Sequence, residues 1–185
     1  SGRGVMAGGN TSPSSHHLVV DYVNISTLGN ATNFGNLTSV VGGSSGACSY
    51  TRFISGGGKT PSITDTIDST ELQSTGNFAD FGNLVTAKQE VAGVSSTTRG
   101  VWSGGWDGSN RMNEIDYVTI TTAGNAADFG DLVSTKSSLC ATCSPTRGVF
   151  FGGYTTGALD EIDYITIASA GNATDFGNLL GALKY

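Results

Sequence analysis

The sequence predicts an all-β chain organised as four copies of one unit of about 48 residues. Three observations predict it: a fourfold internal repeat, short β-branched and aromatic runs, and glycine used as punctuation between them. With 185 residues the chain has room for one architectural unit and not for two ordinary domains. Charged residues are only 13% and Gly reaches 28, while Pro is 3 and aromatics are 9%. Disordered chains are rich in charge and Pro and poor in aromatics, so this composition belongs to a folded chain with many strands and tight turns.

Each unit opens on an anchor: Arg3-Gly-Val-Met-Ala-Gly-Gly9, Arg52-Phe-Ile-Ser-Gly-Gly-Gly58, Arg99-Gly-Val-Trp-Ser-Gly-Gly105 and Arg147-Gly-Val-Phe-Phe-Gly-Gly153. The anchor arginines are 49, 47 and 48 residues apart. An apolar strand ending in paired glycines suits a strand that stops where backbone must turn or pack closely. After a variable stretch comes a second strand with an aspartate at a fixed place, Asp21, Asp68, Asp116 and Asp163. A Gly-Asn turn then leads to Phe-Gly-x-Leu, with Phe34, Phe81, Phe129 and Phe176 at the aligned position. A segment rich in Ser, Ala and Val returns to the next arginine. The expectation is a single repeat domain over 1–185 with units about 3–51, 52–98, 99–146 and 147–185, the last stopping before its final segment.

A period in the forties with up to four strands per unit predicts β-propeller blades. The order of segments resembles kelch repeats: a basic residue, an apolar strand ending in Gly-Gly, a variable loop, a strand with an acidic-aromatic pair, then an aromatic-and-Leu strand. The kelch Trp of the third strand is replaced by Phe34, Phe81, Phe129 and Phe176. The resemblance implies a β-propeller-like array of four four-stranded, kelch-like blades with the last blade incomplete. The runs Thr146–Gly153 and Ile162–Leu179 are similar to tandem arrays in phage structural and tail-fibre proteins, especially from aquatic phages. That similarity implies a non-enzymatic structural or adhesive module in a virion or an extracellular setting. Its partners would be itself or other structural subunits, with a surface glycan as receptor. The alternative is a secreted or cell-surface lectin-like protein.

A net charge of −6 with scattered basic residues argues against nucleic acid. No apolar run approaches a membrane span. Cys48, Cys140 and Cys143 are odd in number, and Cys140-x-x-Cys143 has no second pair to complete a zinc site, so small core residues are expected. His16 and His17 occur in one unit and lack a third ligand. No nucleophile elbow, phosphate-binding Gly-Lys-Ser/Thr loop or unique carboxylate pair appears; neither an enzyme, a metal nor a cofactor is expected.

The recurring arginines and aspartates suggest Arg–Asp pairs within or between units, ahead of an anion-binding ring. The aspartates are expected to bond nearby turn amides rather than to hold Ca²⁺. Trp102 reads as core, whereas Trp106 and Tyr154 follow Gly-Gly into the variable loop and are the candidate ligand-binding aromatics. Sequons fall at Asn10, Asn24, Asn30, Asn36 and Asn172, of which the last four are the glycosylation candidates.

Overall fold

The computed structural model describes residues 2–12 and 15–184. These residues form antiparallel sheets and no helix. Sheet I contains β1 (Arg3–Ala7), β2 (Asn10–Ser12), β3 (Ser15–Asn24) and β4 (Thr32–Val41). Sheet II contains β5 (Ser45–Cys48) and β6 (Arg52–Gly56) and, after a small ribbon of β7 (Lys59–Thr60) and β8 (Ser62–Ile63), β9 (Thr66–Glu71) and β10 (Ala79–Asn83). Sheet III runs β11 (Ala92–Ser95), β12 (Arg99–Ser103), β13 (Glu114–Thr119) and β14 (Ala127–Asp131). Sheet IV runs β15 (Cys140–Cys143), β16 (Arg147–Phe151), β17 (Leu159–Thr166) and β18 (Thr174–Leu183).

Sheets II, III and IV have the same meander, in which the small-residue segment before each arginine pairs with the anchor strand. The strands therefore group one segment earlier than the units read from arginine to arginine. This corrects the expected incomplete last blade. Sheet IV has all its strands, and the narrow sheet is I, where β1 and β2 lie end to end along one edge of β3. The other edge of β1 has no strand beside it among the described residues.

The four aspartates are equivalent, lying opposite Met6, Ser55, Trp102 and Phe150 on the four anchor strands. The aligned phenylalanines are equivalent as well, and each is the extra residue of a β-bulge. Between Asp68 and Ile67 on β9, for example, the partner strand advances from Asp80 to Gly82, leaving Phe81 over. The same slip leaves over Phe34, Phe129 and Phe176. A bulge residue keeps its carbonyl out of the ladder, which matters for the junctions between sheets.

Hydrophobic side chains gather into three clusters, one at each junction between consecutive sheets. Phe81, Leu84 and Ile54 of sheet II pack on Trp102, Val118 and Ile120 of sheet III, and Phe129 and Leu132 of sheet III pack on Phe150, Ile165 and Ile167 of sheet IV. Trp102 is fully buried and donates its indole N–H to the Ser45 carbonyl at 2.9 Å. The four sheets also border a shared cavity of about 530 Å³, reached by Met6 of β1, Ala47 of β5, Val94 of β11 and Ala141 of β15.

Candidate functional site

Each sheet presents a donor face to the next sheet and an acceptor face to the one before. The anchor arginines lie on the donor face. Arg3 donates to the Leu72 carbonyl at 2.7 Å, Arg52 to Ile120 at 3.0 Å and Arg99 to Ile167 at 3.0 Å. Three of the four arginines also rest on a tyrosine of their own sheet, Arg3 on Tyr22, Arg99 on Tyr117 and Arg147 on Tyr164, at 4.5 to 4.7 Å from the ring centre. In the second unit Ser69 stands in place of the tyrosine, and Arg52 instead pairs with Glu71 at 2.7 Å.

The expected Arg–Asp pairs are thus corrected, and strand geometry gives the reason. Arg99 pairs across to Thr119, whereas Asp116 lies opposite Trp102, three residues farther along β12. An odd offset puts the two side chains on opposite faces of the sheet, about 10 Å apart along the strand. The aspartates accordingly look back to the preceding sheet, and the bend amide that Asp116 accepts, Val85 at 3.3 Å, belongs to the segment just past β10 of that sheet. Asp68 accepts the Thr38 hydroxyl at 2.7 Å and the Thr38 amide at 3.0 Å. Asp116 ion-pairs with Lys88 at 3.0 Å, and Asp163 with Lys136 at 2.7 Å. Both lysines are fully buried, and each also pairs with a glutamate, Glu114 at 2.9 Å and Glu161 at 3.2 Å.

Burial shapes the titration of these groups. It pushes the Asp116 carboxyl up to about 7, with the Lys88 ammonium opposing and the Glu114 carboxylate assisting. Burial also raises Asp163 against the pull of Lys136, and Asp68 against the bonds from Thr38. Glu114 lies below its ordinary value: burial pushes it up, but the hydrogen bond and charge of Lys88 prevail. In Glu161, burial is outweighed by the Ser134 hydroxyl and Lys136.

Backbone completes each junction. The freed carbonyls of Phe34, Phe81 and Phe129 accept the amides of Gly76, Gly124 and Gly171 in the next sheet. The amides of Asn36, Asn83 and Asp131 donate at 3.1 Å to the side-chain oxygens of Asn77, Asn125 and Asn172. Glycine is required at position 82, where φ is +150° and a side chain would run into the Gly124 carbonyl. Of the sequon residues, Asn172 is therefore engaged through its side-chain oxygen, and Asn36 is half-buried with its amide in the junction. Asn24 is exposed and caps Ser26, while Asn30 is exposed.

The loop aromatics come together. Trp106 and Tyr154 occupy the same place in adjacent sheets, each held by reciprocal backbone bonds, Trp106 to Gln89 and Tyr154 to Ser137. The Arg111 guanidinium stacks on both rings, 5.0 Å from the Trp106 centre and 4.4 Å from that of Tyr154, and Lys184 approaches Tyr154 at 4.3 Å. Cations thus already lie over these rings. Arg111 belongs to no repeated position, so alignment did not single it out.

The cysteines are not core residues, contrary to expectation. Cys48, Cys140 and Cys143 are free and exposed. They lie on β5 and β15, and Cys48 and Cys143 border the shared cavity, where small side chains face solvent rather than a packed sheet. His16 and His17 contact Asn10 and Thr11. No group of three metal-ligating side chains occurs among the described residues.

No protein-family model matches the chain, and neither does any curated protein.

Proposed function

We propose that this chain is a non-enzymatic structural module of propeller type, a component of a virion or tail fibre whose task is assembly, with contact to a receptor glycan at its loop end. The observation that supports it is where the repeated polar residues go. The arginines, the aspartates and the Gly-Asn turns are occupied in fastening one sheet to the next at all three junctions. Chemistry that converts a substrate requires one place to differ from its equivalents. Here the repetition serves rigidity, as in arrays whose stability is a sum over neighbouring units. The resemblance of the repeats to kelch blades and to phage fibre arrays supports the same reading.

The test is the location and copy number of the native chain. Quantitative mass spectrometry and antibody labelling of purified particles from the native source should find it in fixed stoichiometry within a virion or fibre. Recovery only as a free monomer, absent from particles, would overturn the proposal.

A further inference from the structure

The two end faces of the array carry the two halves of the junction used three times inside it. Among the described residues no sheet lies against the donor face of sheet IV. Phe176 is 53% exposed, whereas Phe34, Phe81 and Phe129 are 2–3% exposed. Gly177 has nothing within 4 Å of where a side chain would begin, whereas Gly35, Gly82 and Gly130 are each covered by a glycine carbonyl of the next sheet. Arg147 retains its stack on Tyr164 but has no carbonyl partner among the described residues.

Sheet I presents the matching acceptor face. Ile25 stands where Leu72, Ile120 and Ile167 end their strands. It is 72% exposed, whereas those three are 0–7% exposed. The Gly29-Asn30 turn is equivalent to Gly76-Asn77, Gly124-Asn125 and Gly171-Asn172, and it too is exposed.

We infer that these faces dock on each other between copies: the donor face of sheet IV in one chain takes the acceptor face of sheet I in a second copy, head to tail. This rests on reading the chain as an assembly module and names its partner. The arginine, Gly-Asn and bulge-carbonyl bonds of an internal junction each have a counterpart, while the strand that β5, β11 and β15 supply has none beside β1 among the described residues. Arg147 reaches the Ile25 carbonyl, the Asn178 amide reaches the Asn30 side chain, the Gly29 amide meets the Phe176 carbonyl, and the Phe176 ring is covered. One element differs. Leu183 stands where Lys88 and Lys136 stand, so Asp21 would receive the Leu180 amide and no ammonium, as Asp68 receives no ammonium from sheet I.

A second copy fits better than the chain's own first sheet. The three internal junctions repeat the same bonds and therefore the same step from sheet to sheet, and after three steps both end faces are still uncovered. A heterologous contact of this kind closes a ring of copies or propagates a filament.

The experiment is light scattering coupled to size exclusion on the whole chain, with Phe176→Glu and Ile25→Glu. Both residues are exposed in the isolated chain, so both variants should keep the parent circular dichroism spectrum. The parent should show a mass of two or more copies that rises with concentration. Each variant alone should be monomeric. Mixed, they should form a one-to-one dimer, because Ile25→Glu keeps its donor face and Phe176→Glu keeps its acceptor face. A monomeric parent at every concentration would overturn the inference, and amide exchange protection at Gly29 and Asn178 in that monomer would show closure within one chain instead. Association that survives either substitution, or a mixture that stays monomeric, would also overturn it. A chain found in native particles yet monomeric in these measurements would leave the assembly role standing and sink only the head-to-tail contact.

Discussion

The junction between sheets I and II and the two that follow it solve one problem with different chemistry. All three must accommodate an aspartate that faces the preceding sheet. At the later junctions a buried lysine does so, Lys88 for Asp116 and Lys136 for Asp163, each shared with a glutamate. At the first, Val41 takes the place of the lysine and the Thr38 hydroxyl serves Asp68. The apolar side differs in the same direction. Phe78 stands where the later sheets have Ala126 and Ala173, and it packs edge-on against Phe34 and Phe53 at ring separations of 6.4 and 5.8 Å. The first junction is aromatic and the later ones are ionic.

Phe53 shows why. Its equivalents are Gly100 and Gly148, which lie tight against Ile54 and Val94 of the preceding sheets. Gly93 of β11 likewise abuts the Gly46 carbonyl of β5. Among the described residues sheet I has no strand beside β1 to provide such neighbours, and the Phe53 ring lies over Gly46 in that space. A large side chain fills the room that a strand occupies elsewhere.

The largest effect that tests this contrast is removal of a buried ammonium. Lys88→Ala should lose about 3–5 kcal/mol, because it strands Asp116 and Glu114 in a dry junction; denaturant unfolding reads it. A loss below about 1 kcal/mol would mean that the junction admits water and is not ionic in the sense drawn here. Next is Phe53→Ala, expected to cost about 2–3 kcal/mol, somewhat less than a fully buried ring. It should also leave β1 less protected in amide exchange. Unchanged protection would mean that the ring does not stand in for a strand. Thr38→Val is nearly isosteric and should cost about 1–3 kcal/mol by leaving one side of Asp68 unsatisfied. A cost equal to that of Lys88→Ala would erase the difference between the junctions.

Much of this architecture was legible in the repeats. The anchor arginines, the aspartates and the bulged phenylalanines proved equivalent because a residue fixed in sequence by a two-residue strand period is fixed in space. What the repeats could not display was direction. Whether Arg99 and Asp116 meet depends on the parity of an offset across two strands, and only the register of β12 with β13 reveals it. Lys88 and Lys136 escaped notice because they recur in only two units, with Val41 and Leu183 at the equivalent places. The cysteines misled for another reason: small side chains suit an open cavity as well as a core.

The smallest effect sharpens the comparison most, because it separates charge from burial within one ionic junction. Asp116 is raised by burial to about 7, so the folded chain holds its proton more tightly than the unfolded chain does. A carboxyl raised on folding contributes stability that is complete below its ordinary value and is lost as pH climbs through the folded value. Glu114 is lowered, so its contribution has the opposite sense and changes only at more acidic pH. Between about pH 5 and pH 8, then, the parent should lose stability relative to Asp116→Asn, whose amide cannot ionise. Thermal midpoints of the two proteins across that range check it. If the two curves instead run parallel across that range, Lys88 has overcome burial and Asp116 is a carboxylate throughout, as it is in the unfolded chain.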